Sequence, residues 1–480
     1  MMETGIKKDR MHIEKRIWDY LMVCPVLGTV FLFFYIKTAS EDVVYSDYIR
    51  LINSYLPDTL SPDSFFVSDI LTRIPITYPL RWINVRLFGY SVDFDRVLGL
   101  LGIFFMMTVL FLYTKRVRLS VLSLAALMFA GFSLNKWELL INGSGYPHFI
   151  SYGLFFYNYL VLERAFNGTK KPGDEVKLVI LPYAALLVAG PYIVQYCLSL
   201  IAAFMYMGFI KNRNVPGKRI ALYILSSAIP MILFLISNST AEYEHNVKEQ
   251  LTLMEVLTGK TGFTVHFILN GFASEVLGGD RWEALLNAGK TGYGLIYMTG
   301  ALVILCYGYA LVLYFAKGIY RRTMFPLLLI MSGIVSHLLV FCSRYLYLVE
   351  TYAWQSRYSL QYLPGAFGIL IIYGIVIRNF LVEKGNGRRR QKKGCFIGSF
   401  LIPVIITCIF MAGSFITTKG ELQNAPYRKI YFSSMKDTAF HIDDYTDDEL
   451  NGIFEYNHGA GKVRSAFKVL KENGLNIYRR

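Results

Sequence analysis

Charge is scarce in this chain. Only 17% of its 480 residues are Asp, Glu, Lys or Arg, against about 25% in a soluble domain. Several catalytic signatures are missing too: there is no Walker loop, no GxGxxG after a strand pattern, no HExxH and no GxSxG. ATP-driven transport and zinc hydrolysis are therefore left without sequence support. Cys24, Cys197, Cys306, Cys342, Cys395 and Cys408 lie in or beside apolar blocks, never as CxxC. That spacing speaks against both a disulfide framework and a zinc site. The first apolar block has no small-residue cleavage site after it and reads as a retained helix.

Apolar and aromatic residues are abundant instead. Hydrophobic residues make up 54% of the chain, with 35 Phe and 35 Tyr. They form blocks of about twenty, the length of helix that crosses roughly 30 Å of hydrocarbon. The pattern predicts spans at 17–36, 97–113, 119–133, 149–163, 178–190, 192–210, 220–237, 293–315, 323–342, 361–378 and 396–416. The expected fold is all-α and polytopic, with about 11 transmembrane helices. Gly190-Pro191 divides the two spans between 178 and 210, because proline breaks the helical hydrogen-bond ladder.

A formal charge of +15 would suit nucleic acid if it were concentrated in one domain. Here more than half of the 49 Lys and Arg are spread over short turns and the N-terminus, including 114–118, 169–177, 211–219, 317–322 and 383–393. That is the pattern of cytoplasmic loops, and nucleic acid is not an expected partner. Lys7, Lys8, Arg10, Lys15 and Arg16 place residues 1–16 in the cytoplasm. An odd number of crossings then leaves the C-terminus extracytoplasmic, on a bacterial plasma membrane.

The expected organisation is a basic N-terminus (1–16), a transmembrane domain (17–416) and an extracytoplasmic tail (417–480). Two external loops, 37–96 and 238–292, exceed simple turns, and loops of that length are functional or disordered. The first repeats Phe65, Phe66, Ile70, Ile74, Tyr78, Trp82, Val85 and Leu87 at near-helical spacing, after a helix start at Ser61-Pro62-Asp63. This predicts amphipathic helices on the membrane surface. Residues 263–279 are expected to lie there too or to re-enter the membrane. The tail ends in an amphipathic stretch at 462–480.

Asp47 lies just beyond the first span, within "YSDYIRLINSYLPDTL". It reads either as a solvated loop carboxylate or as a general base at the outer surface, drawing a proton from an attacking alcohol. A phosphate leaving group would need cations nearby; Arg50 and Arg73 occur in the same loop. In "LNKWELLINGSGYPHF" (134–149), Trp137 suits an interface anchor, while Glu138 and His148 stand at a membrane boundary. Arg357 and Tyr358, in an Arg- and Tyr-rich segment, suit a lid over a sugar phosphate or an aromatic belt. His337, inside an apolar span, reads as a packed histidine. Other ionisable groups in the spans, such as Asp19, Glu163 and Arg378, fall near span ends, which counts against a transport pathway.

With those residues in view, the chain resembles the GT-C class of polytopic glycosyltransferases, and a bacterial membrane group of that layout. The resemblance rests on Ser46-Asp47-Tyr48, the segment 60–99 closing on Leu87-Phe88-Gly89-Tyr90, Trp137-Glu138 followed by Gly143, and the C-terminal "VLKENGLNIYRR". It implies transfer of a sugar from a polyprenyl-phosphate donor to an envelope glycan or lipid. Asp47 and Glu138 would be the catalytic carboxylates, and Arg50, Arg73, Trp137, His148, Arg357 and Tyr358 would bind substrate. No cofactor is implied with certainty; Asp47 and Glu138 could share a divalent metal, though nothing requires one. In that class the catalytic acid often belongs to an acidic pair, whereas Ser46 precedes Asp47 here, and no histidine adjoins Arg73. Envelope polysaccharide polymerase, flippase or transporter, and membrane scaffold are the alternatives.

Overall fold

A computed structural model describes residues 17–56, 77–189, 193–208, 215–239, 251–385, 396–459 and 461–479. Among these there is no strand. The first half of the chain forms α1 (Cys24–Ala39), α2 (Asp47–Tyr55), α3 (Thr77–Phe88), α4 (Val92–Val117), α5 (Val121–Phe132), α6 (Trp137–Ile141), α7 (Tyr146–Phe166), α8 (Asp174–Ala189), α9 (Ile193–Gly208) and α10 (Gly217–Ser239). The second half forms α11 (Leu253–Gly259), α12 (Thr261–Ser274), α13 (Gly279–Asn287), α14 (Tyr293–Ala316), α15 (Phe325–Arg344), α16 (Ser356–Gly385), α17 (Ile402–Phe440), α18 (Asp447–Ile453) and α19 (Lys462–Glu472).

Local sequence accounts for many of these boundaries. Pro25, Pro147, Pro326 and Pro403 occupy the first turns of α1, α7, α15 and α17, where a missing N–H costs nothing. Thr252 with Glu255, and Thr446 with Glu449, close capping boxes at α11 and α18, each satisfying two orphan donors. The α15–α16 pair closes on small residues: a Cβ on Gly333 would lie 2.6 Å from the Gly365 Cα. Small residues are what allow helix backbones to approach this closely in lipid.

Among the described residues, eight helical stretches are long and apolar enough to cross a membrane: Ile17–Ala39, Val92–Val117, Val121–Ile141, Gly217–Ile236, Tyr293–Ala316, Phe325–Tyr347, Ser356–Glu383 and Ile397–Phe440. The other three expected spans are also helical but fall short of that standard. α8 and α9 have 16 residues each, below the roughly 20 that a crossing takes. α7 carries Asn158, Glu163 and Arg164 and is buried along nearly its whole length. It is a helix enclosed by neighbours, above all α4 and α8.

Residues 263–279 do not form a free surface helix. α12 packs against α14 and the turn Glu350–Trp354, burying Phe267, Asn270 and Phe272. The amphipathic pattern expected before Thr77 falls mostly outside the described residues.

α17 spans 39 residues, about 58 Å at 1.5 Å per residue, so it projects far beyond a 30 Å hydrocarbon layer. It runs unbroken through 416 and 417, where the apolar run stops. The chain then folds back through α18 and α19, whose Val463, Ala466, Phe467 and Leu470 are buried where α19 packs on α2. Asn53 Nδ2 donates to the Lys462 carbonyl (2.9 Å), and the Asn476 N–H donates to the Gly89 carbonyl (2.7 Å). The Phe467 ring sits 4.7 Å from that of Phe454. Phe467→Ala should weaken this docking by about 3–5 kcal/mol, the usual cost of deleting a core ring. Amide exchange would then quicken across 45–55 and 461–479 while 92–117 is unaffected; unchanged exchange at 45–55 would show that α2 is held by something else.

Candidate functional site

Asp47 is the first residue of α2, and the residues either side of it are pinned. Ser46 holds φ 51° and ψ −125°, a conformation that costs a non-glycine residue about 1–3 kcal/mol and persists only where its surroundings enforce it. Its N–H donates to the Phe454 carbonyl at 2.8 Å. On the other side Tyr48 is buried, and its hydroxyl donates to Asp95 Oδ2 at 2.7 Å. Burial, with Asp95 beside it, pushes the Tyr48 phenol well above its ordinary value, so it remains a donor. Arg50 lies three residues further along the same helix.

The long α17 supplies a cation that the sequence reading assigned to the tail. Arg428 lies over Trp137, 3.1 Å from guanidinium carbon to ring centroid. It donates twice to Glu421, at 2.5 and 2.9 Å, and lies 3.3 Å from Asp280. Only 3% of the Glu421 side chain is exposed, and it also accepts the Tyr35 hydroxyl at 2.8 Å. The Trp137 indole N–H donates to Asp280. Bidentate, charge-assisted bonds of this kind combine strength with fixed geometry.

Next to Trp137, Glu138 faces Arg357 at 3.7 Å, with 31% and 40% of their side chains exposed. The Glu138 N–H donates to Ser356 Oγ (3.2 Å), and Arg357 Nε donates to Gln355 Oε1 (2.8 Å). The charges of Glu138 and Asp47 both act on the Arg357 guanidinium. This guanidinium lies 5.9 and 5.5 Å from the rings of Tyr352 and Tyr358. The buried Tyr358 hydroxyl has no hydrogen-bond partner among the described residues, nor has Arg344 Nε. The Arg344 guanidinium stands 5.7 Å from the same Tyr358 ring. Buried polar atoms are rarely left unmatched, which sets these two apart from the paired groups around them.

Residues far apart in sequence thus converge: Asp47, Trp137, Glu138, Arg357 and Tyr358 share one region. His148 stands on the first turn of α7, and Arg73 lies outside the described residues. The sequence reading missed Asp280, Glu421 and Arg428. His337 is packed, as its sequence context implies, and beside it lies a carboxylate at the C-terminal end of α12 that the sequence reading did not single out. Glu275 is buried, receives the Tyr307 hydroxyl at 2.7 Å and lies 2.8 Å from His337 Nε2. The His337 ring is stacked between Phe272 and Tyr362, 3.8 Å from each. Among the described residues no group of three or more His, Cys, Asp or Glu is arranged to hold a metal ion.

No protein-family model, curated protein or solved structure matches this chain.

Removing Arg428 alone would leave Glu421 charged and buried, a defect worth about 3–5 kcal/mol. Arg428→Met should therefore lower the melting temperature in detergent much more than Arg428→Met combined with Glu421→Gln. Equal losses in the two proteins would mean that the pair is not coupled.

Proposed function

We propose that the chain is a membrane glycosyltransferase that moves a sugar from a polyprenyl-phosphate donor to an envelope glycan or lipid. The convergence of Asp47, Glu138 and Arg357 beside the unpartnered Tyr358 hydroxyl supports this reading most directly. In the reaction, Asp47 accepts the proton of an acceptor hydroxyl as its oxygen bonds to the anomeric carbon. The bond from that carbon to the phosphate oxygen breaks, and the lipid phosphate leaves with the electron pair. Arg357, with Arg344 behind it, stabilises the phosphate charge. Glu138 orients Arg357, and Tyr352 and Tyr358 offer faces and a hydroxyl to the sugar. About eleven crossings, with the N-terminus cytoplasmic and the site at the outer face of a bacterial plasma membrane, complete the proposal. No step in it is routed through a metal.

Transport is the second reading, favoured by the buried Glu275–His337–Tyr307 group, because ionisable residues inside a bundle mark ion or substrate pathways. The decisive comparison is envelope-glycan mass spectrometry of wild type, a deletion and Asp47→Asn at matched membrane levels. Loss of the same sugar in the deletion and in Asp47→Asn is the expected result, with purified Asp47→Asn slowed about 10²–10⁴-fold, the scale of a lost general base. If the deletion loses the sugar and Asp47→Asn keeps it, the base lies elsewhere. If no glycan changes while Glu275→Gln abolishes solute flux, transport replaces transfer.

A further inference from the structure

The other end of the bundle holds a second charged feature, independent of the sugar-transfer reading. Arg378 lies about 21 residues beyond Arg357 on α16, roughly 32 Å along the axis. There the end of α4, the start of α5, the turn Ile319–Arg321 and the last turns of α16 line a cavity of about 910 Å³. Leu119, Ile375, Val376 and Phe380 contribute apolar lining; Arg118, Lys317, Arg322 and Arg378 contribute four cations. Glu383 is the one acid among the lining residues.

Arg378 is fixed in place. Its Nη1 donates to the carbonyls of Val117 (2.5 Å) and Arg118 (3.0 Å), and its Nη2 donates to Asn379 Oδ1 (3.0 Å). The charges of Arg322 and Arg118 act on it with the same sign. Neighbouring Arg116, by contrast, has Glu163 at 3.3 Å. Among the described residues none of the four cavity cations forms an ion pair with a carboxylate. Arg118, Lys317 and Arg322 are exposed and Arg378 is half-buried, so the four form an open basic cluster at which an anion gains attraction from several cations at once.

We propose that this cavity binds the phosphate of an anionic phospholipid, with acyl chains against the apolar lining. Guanidinium groups match phosphate oxygens in geometry and charge, and basic pockets between membrane helices recognise anionic headgroups. A free inorganic phosphate would satisfy the cations but leave the apolar lining wet, and the cavity is many times its size.

The full chain, purified in neutral detergent, would be titrated with phosphatidylglycerol, phosphatidylcholine or inorganic phosphate and followed by native mass spectrometry and thermal melting. Phosphatidylglycerol should bind at least about tenfold tighter than phosphatidylcholine. Arg118→Gln combined with Arg322→Gln should lose at least about tenfold of that affinity, the worth of one charge-assisted hydrogen bond. The matching pair of Lys substitutions should stay within about threefold of wild type, since charge is kept. Equal binding of the two lipids by wild type, or undiminished phosphatidylglycerol binding by the Gln pair, would overturn the proposal. So would displacement of phosphatidylglycerol by inorganic phosphate that stabilises the protein equally, which would identify a soluble anion instead. The wild-type lipid comparison decides the matter even if a variant fails to fold.

Discussion

A carboxylate sealed inside a helical bundle needs a cation within bonding distance, since an unpaired one is strongly destabilising. Glu421 meets that need through Arg428, two turns later on the same helix, and through the Tyr35 hydroxyl of α1. Because the same guanidinium covers Trp137 and reaches Asp280, one cation joins α17 to α1, α6 and α13. Much of this end of the molecule follows from the joint. With α17 held upright, the chain after Phe440 can turn back and lay α19 on α2. That return brings the Phe454 carbonyl to Ser46 and holds its strained backbone. The position of Asp47 thus depends on contacts made more than four hundred residues later.

The same rule explains the polar groups elsewhere in the bundle. Glu163 accepts the Thr323 hydroxyl and the N–H groups of Met324 and Phe325. It thereby satisfies orphan donors at the start of α15, where negative charge is favourable. Fully buried Lys136 donates to the Ser133 carbonyl at 2.7 Å, and Glu275 is met by Tyr307 and His337. Other buried polar atoms have no hydrogen-bond partner among the described residues. Among them are the Tyr358 hydroxyl and Arg344 Nε, and at the other end Arg118, Lys317, Arg322 and Arg378 share a cavity lining with a single acid, Glu383.

Parts of the site were legible in the sequence because they interrupt an apolar pattern at a span boundary. Trp137-Glu138 and Arg357-Tyr358 stood out for that reason, and Asp47 because it follows the first span so closely. Arg428 and Glu421 did not, since the apolar run ends near residue 416 and everything after it reads as polar tail. Hydropathy reports where a segment prefers to reside, and says nothing about whether its helix continues. Asp280 was hidden in the same way, inside a loop whose helices α12 and α13 are packed by partners distant in sequence.

By itself the sequence determined the helical class, the positions of the apolar blocks and many helix starts. These depend on local matters: a length that spans hydrocarbon, a proline in a first turn, a capping box. The tertiary structure alone decided which charges meet. It paired Glu421 with Arg428, Glu275 with His337 and Glu138 with Arg357. The physical reason is that Coulomb attraction and hydrogen bonding act over a few ångströms in space, and one-dimensional spacing carries no record of that distance once helices pack.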